Sequence, residues 1–218
     1  MSFFIQGFSQ DLLYEVRGDY SSPVTKEILS SAKTMSDFRH GYPSTWITQY
    51  ISTEISSMID GKFTTAVGLN DTLNEAQRNI FQKAQVNEDI IVSIKYKYSN
   101  SATNHLDTQT MHFIVTVVPE IEAEYPGGYS ELSKYLHNNA ITQASKESKD
   151  LISALIKFTV TETGEITNAQ VFKSSENSQV DKLLLKAIKQ MPNWKPAENN
   201  NGVKIRQEFQ FNVGNIGC

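Results

Sequence analysis

Residues 119–128, PEIEAEYPGG, divide this chain into two halves. Two prolines, paired glycines and three glutamates stand between regions that each carry a regular hydrophobic period. Proline fixes φ and lacks an N–H, and neither proline nor glycine continues a helix or an inner strand well. The chain has 218 residues, 39% hydrophobic and 20% charged, so each half holds enough apolar side chains for a core. The expected organisation is a segment 1–10, an N-terminal domain 11–118, a linker 119–128 and a C-terminal domain 129–218.

The first half reads as β-rich with one or two helices. Ser22-Pro23 followed by Val24, Ile28, Leu29, Ala32 and Met35 predicts a short amphipathic helix capped by Ser22. Trp46–Ser56 alternates as a strand, Asp60-Gly61 is a turn signal, and Lys62–Val67 is its partner. Thr72 and Glu75 have capping-box spacing before a helix carrying Leu73, Ala76, Ile80, Phe81 and Ala84. Asp89–Tyr98 and Met111–Val118 alternate as two further strands.

The second half reads helix, hairpin, helix, strand. Tyr129–Asn138 places Leu132, Tyr135 and Leu136 on one stripe, and Gln143–Asp150 is a polar connection. Leu155–Thr161 and Ile166–Lys173 flank the turn at Glu162–Glu165. Ser178 with Asp181 predicts the next cap, and Pro192 stops the helix. Val203–Val213 then sends Val203, Ile205, Phe209, Phe211 and Val213 one way, interrupted by Gln207. Lys204, Arg206, Glu208, Gln210 and Asn212 go the other way. The class is therefore α+β, with a C-terminal sheet of about three antiparallel strands. Trp194 is read as a plug between the second helix and that sheet.

Three stretches of this half go beyond a pattern. EAEYPGGYSELSKYL, IKFTVTETGEITNAQVFKSS and VDKLLLKAIKQMPNWKPAENNNGVKIRQEFQFNV resemble the TonB C-terminal domain family in its Bacteroidetes form, over residues ~122–218. In the first half, WITQYISTEISS, DGKFTTAVGLNDTLNEAQRNIFQKA and DIIVSIKY resemble the C-terminal domain of GldM, a gliding-motility and type IX secretion protein. The first resemblance implies an exported, periplasmic, non-enzymatic protein of the cell envelope with roles in transport. Its partners would be envelope proteins, such as an outer-membrane TonB-dependent transporter or a secretion component. It further implies that the final strand receives an extended segment by strand addition. The residues at stake are Val203, Lys204, Ile205, Arg206, Gln207, Glu208, Phe209, Gln210, Phe211 and Asn212, and a strand-swapped dimer is a further expectation. The same charges Lys204, Arg206 and Glu208 also fit a protected edge, because natural sheets use charge to discourage pairing. With six prolines, no Pro-rich spacer and no run of about 18 apolar residues, force transmission is not carried over.

Other chemistry is poorly supported. His40, His105, His112 and His137 fall in no metal-ligand spacing, and no phosphate loop or nucleophile motif is present, so neither cofactor nor enzyme is expected. Net charge is −4 with scattered cations, which argues against a nucleic-acid partner. The lone Cys218 is read as a surface thiol. Met1–Gln10, MSFFIQGFSQ, reads as the back half of a signal peptide, with a short strand as the alternative.

Overall fold

The structure is a computed structural model that describes residues 12–147 and 153–214. The signal-like segment 1–10 and Cys218 lie outside the described residues. The chain forms two compact units: Tyr20–Glu120, and a second made of residues 12–19 together with 121–214. The expected N-terminal domain 11–118 is thus corrected at its start. Its first strand, β1 (Tyr14–Gly18), belongs with the C-terminal half.

The unit Tyr20–Glu120 holds β2 (Pro23–Thr25), α1 (Lys26–Ser31), α2 (Met35–Phe38), β3 (Gln49–Ile59), β4 (Lys62–Gly68), α3 (Glu75–Lys83), β5 (Asp89–Asn100) and β6 (His105–Val118). The strands form one sheet in the order β2-β6-β5-β3-β4. Asp60 and Gly61 both take positive φ, 52° and 74°, and so close the two-residue hairpin between β3 and β4. Ile55, Val92, Ile94, Val115 and Val117 face the helices with Leu29, Ile80 and Phe81. Two expectations change here. Pro23 starts a parallel edge strand on β6 rather than a helix, and Thr25, not Ser22, caps α1. An edge strand tolerates proline because one side of its backbone needs no partner. The cap of α3 is Asn74, paired with Gln77, rather than Thr72. Gln77 is fully buried, and its amide nitrogen donates to the Thr53 carbonyl at 3.1 Å. Lys26 fastens the far end of α3, donating to the carbonyls of Phe81, Gln82 and Ala84 at 2.7, 2.9 and 2.7 Å.

The other unit holds β1, α4 (Gly128–Leu136), a wider π turn at His137–Ile141, α5 (Thr142–Glu147), β7 (Ser153–Val160), β8 (Ile166–Lys173), α6 (Ser178–Lys189), β9 (Ala197–Glu198), β10 (Lys204–Ile205) and β11 (Gln207–Gly214). The α+β class holds, but the sheet has four strands in the order β1-β11-β7-β8, because β1 adds to the expected three. Asn177 caps α6, its side chain accepting from Gln179 and Val180, while Asp181 turns to Ser174 and Ser175. The polar connection expected at Gln143–Asp150 is helical through Glu147. The expected linker is structured from residue 121 onward. Ile121 and Glu124 bridge to Glu198 and Lys195, and Tyr125 packs edge-on against Trp194 at 5.7 Å. Trp194 is 5% exposed and lies against Phe158 and Phe209 of the sheet, buried as expected.

Candidate docking edge

The Asn199–Gly202 loop delivers the final strand. The Asn199 side chain accepts from the backbone of Asn201 and Val203, both at 3.0 Å, and Gly202 closes the turn with φ of 71°. Beyond it the expected single strand Val203–Val213 is broken in two. Val203 is exposed in the loop. Lys204 and Ile205 pair with Glu198 and Ala197 as a small separate ladder. Arg206 falls in the break, with Nε 3.3 Å from the exposed carboxylate of Glu162. An exposed pair of this kind contributes little to stability.

The break has a buried cause. Gln207 is 1% exposed, and its Oε1 accepts from the backbone N–H of Ala123 at 2.8 Å. The residue that looked like an interruption of the apolar face is the pin that ties 121–125 to β11. From there Phe209, Phe211 and Val213 are buried in the core, with Phe209 stacked on Phe158 at 5.5 Å.

β11 is not at the sheet edge. On one side β7 pairs with it along its whole length, from Gln207↔Val160 to Gly214↔Ser153. On the other lies β1, antiparallel, in the register Tyr14↔Val213, Glu15↔Asn212, Val16↔Phe211, Arg17↔Gln210 and Gly18↔Phe209. Two more backbone bonds extend the ladder, Asp19 N–H to the Glu208 carbonyl and Gly214 N–H to the Leu13 carbonyl. The premise of an uncovered edge at residues 209–213 is therefore corrected, since this chain covers it with its own residues 14–18.

The contacts of β1 are specific on both faces. Leu12, Tyr14 and Val16 are buried with Phe209, Phe211 and Val213. The Tyr14 hydroxyl lies 3.0 Å from the Ser133 hydroxyl on α4. On the opposite face, Gln210 turns its carboxamide oxygen to Arg17 and accepts from Nη2 at 2.6 Å and Nε at 2.9 Å. Asp19 pairs with Lys157 at 2.7 Å, and the same ammonium sits 4.4 Å from the centre of the exposed Phe172 ring. Asp19, Lys157, Thr159, Asn168, Gln170 and Glu208 line a shallow depression of about 410 Å³ on this face. Glu15 is less well served. It is 5% exposed, and burial pushes its carboxyl up, opposed by Arg17. Its Oε1 makes no hydrogen bond and lies 3.7 Å from Arg17 Nε.

Residues 153–213 match the family described as Gram-negative bacterial TonB protein C-terminal. The chain carries a TonB-type C-terminal domain. No curated protein and no solved structure gives a significant match to the chain. The match runs from β7 to Val213 of β11 and leaves out β1, α4 and the unit Tyr20–Glu120. Hence the fourth strand of the TonB-type sheet comes from outside the matched segment. No helix among the described residues is long and apolar enough to cross a membrane.

Sequence reasoning placed Phe209, Phe211, Val213 and Trp194 correctly in the core. It missed β1 and the two pins, Gln207 and Tyr14. The available signal for β1 was the alternation Leu12, Tyr14, Val16, which is too short to separate from a loop without its partner strand.

Proposed function

We propose that this protein is an exported cell-envelope adaptor whose TonB-type domain takes up an extended peptide of a partner by strand addition at β11. One observation supports the reading more than any other. The outer side of β11 already holds an extended strand that comes from outside the matched domain, in a regular antiparallel register. The backbone N–H and C=O groups of that side are therefore presented in the geometry that a docked segment needs. Backbone bonds would supply most of the affinity. Gln210 and Asn212 on the polar face, and the apolar surface of Phe211 and Val213 on the other, would supply selectivity. Envelope proteins are the partners that fit a TonB-like domain, an outer-membrane transporter or a secretion component among them.

The test is site-specific photo-crosslinking in envelope preparations. A photoreactive residue at Asn212 should capture an extended segment of one partner, identified by mass spectrometry. The same group at Glu131 on α4 or Lys182 on α6 should not. Capture from the helices alone would sink strand addition.

A second reading is a structural part of a secretion, gliding or surface assembly, in keeping with the resemblance of the first unit to the C-terminal domain of GldM. It draws on β4, an edge strand that exposes Phe63 (62%) and Val67 (56%). Exposed apolar side chains on a sheet edge are a surface that packs against a neighbour.

A further inference from the structure

We infer that β1 is a built-in, exchangeable occupant of the β11 edge, and that its sequence is the template for the partner segment that replaces it. The inference rests on the strand-docking reading and adds the chemistry of the ligand. That ligand is an extended segment running antiparallel to β11, with apolar side chains at alternate positions and a hydroxylated aromatic at the middle one.

Three features carry this. First, β1 is separated in sequence from the rest of its sheet by all of residues 20–120, and it lies outside the matched family segment. The matched strands β7, β8 and β11 pair with one another without it. Second, the sites it fills are selective. Leu12, Tyr14 and Val16 enter the apolar core, and the Tyr14 hydroxyl meets both the hydroxyl and the carbonyl of Ser133, at 3.0 and 3.3 Å. A phenylalanine there would leave this polar group facing a ring edge. Third, the fit has a flaw at its centre. The carboxylate of Glu15 is buried with Oε1 lacking a hydrogen bond and only a 3.7 Å ion pair to Arg17 to offset it, and a buried carboxylate oxygen without a hydrogen bond opposes docking. A segment with a neutral residue opposite Asn212 avoids that cost and outcompetes β1. A short strand at a sheet edge, held by one neighbour, is also the kind of element that opens locally without global unfolding.

The experiment uses the full chain with Cys218→Ser, and labelled peptides of the sequence of residues 12–19, LLYEVRGD, as probe. A second peptide carries Gln in place of its Glu. A locked form carries Arg17→Cys and Gln210→Cys. These are cross-strand partners, and such pairs sit about 5.5 Å apart at Cα, within disulfide reach. The peptides should bind the reduced form saturably, the Gln peptide several-fold tighter than the Glu peptide. Binding should fall at least tenfold on oxidation and return on reduction. Equal binding to oxidised and reduced forms, or no saturable binding to either, overturns the inference. Native-state hydrogen exchange of the Cys218→Ser chain gives a check that needs no disulfide. If Tyr14–Gly18 amides exchange only with global unfolding, β1 is a fixed strand and the idea fails. Crosslinking from Asn212 in the same pair separates the two readings. A partner captured equally in oxidised and reduced forms leaves docking standing and removes displacement of β1. Peptide exchange without any captured partner keeps the exchangeable strand and removes the docking role.

Discussion

Two short strands that are near neighbours in sequence close the edges of two different sheets. β1, Tyr14–Gly18, adds antiparallel to β11 of the TonB-type unit, and β2, Pro23–Thr25, adds parallel to β6 of the other. They differ in what they bury. β1 places Tyr14 and Val16 in a core and also buries Glu15, whereas β2 buries Val24 alone and carries a proline. The difference teaches that β2 covers its edge with one buried side chain while β1 fills two core sites, although it is joined to the rest of that core only through a whole intervening stretch of chain. The sharpest ways to break this contrast are substitutions that damage one unit and should leave the other intact.

The largest effect is expected at Gly164, in the β7–β8 turn. Its φ is 85°, and an added Cβ would lie 1.9 Å from the Trp194 carbonyl oxygen. Trp194 N–H in turn donates to the Gly164 carbonyl at 2.8 Å. Gly164→Val combines a strained φ with a backbone collision, and costs more than about 3 kcal/mol. Calorimetry should show the transition of the TonB-type unit lost or moved far down, with that of Tyr20–Glu120 preserved. A single transition that shifts as one would break the division into two units.

Next comes the direct comparison of the two strands. Tyr14→Ala empties a fully buried site and removes the hydroxyl contact with Ser133, so about 3–5 kcal/mol is expected by analogy with other large aromatic truncations. Val24→Ala removes two methyl groups and should cost about 1–2 kcal/mol. Urea denaturation followed by Trp194 fluorescence reads the first. If Tyr14→Ala costs no more than Val24→Ala, β1 is a cover like β2.

How much of this was legible follows from distance along the chain. Hairpins are local, so β3–β4, β5–β6 and β7–β8 appeared in the sequence with their turns, and Asp60-Gly61 and Gly164 marked two of those turns. The helices α1, α3, α4 and α6 showed in the period, whereas α5 was read as a polar connection, and the caps slid by one to three residues, from Ser22 to Thr25, from Thr72 to Asn74 and from Ser178 to Asn177. Several Ser, Thr and Asn side chains compete for such a place, and tertiary contacts such as Gln77 with Thr53 decide between them. The site was legible as a strand and not as an edge. Whether β11 is covered depends on residues 14–18, which no local period links to residues 209–213. Gln207 was misread for the same reason, because its partner Ala123 lies in what looked like a linker.

Lys26 sharpens the comparison from the other unit. Its ammonium caps three carbonyls at the end of α3, while burial lowers its pKa against the opposing pull of Glu88 and Glu120. Lys26→Met keeps the stem and removes every donor, leaving carbonyls short of partners, for a cost of about 1–3 kcal/mol. The loss should appear in the transition of Tyr20–Glu120 alone, and hydrogen exchange at the end of α3 should rise.

The smallest effect is the pH dependence of β1. Burial raises the folded pKa of Glu15, with Arg17 on its own strand pulling it back down. The charge of Glu15 also contributes to raising Tyr129 of α4, pushed up to about 12 with burial as the main cause. A raised folded pKa means that the folded form holds its proton more tightly than the unfolded chain does. The contribution of Glu15 is therefore fully present below the ordinary value of 4.5 and is lost as pH rises through the raised value. Hydrogen exchange at Tyr14–Gly18, corrected for the intrinsic pH dependence, should show β1 held more firmly at the acid end of that window. Glu15→Gln should abolish this dependence and hold β1 at neutral pH at least as well as the native residue does. If Glu15→Gln instead loosens β1, the ion pair with Arg17 outweighs the cost of burial. The carboxylate would then be a fastener of β1 rather than the flaw that lets another segment take its place.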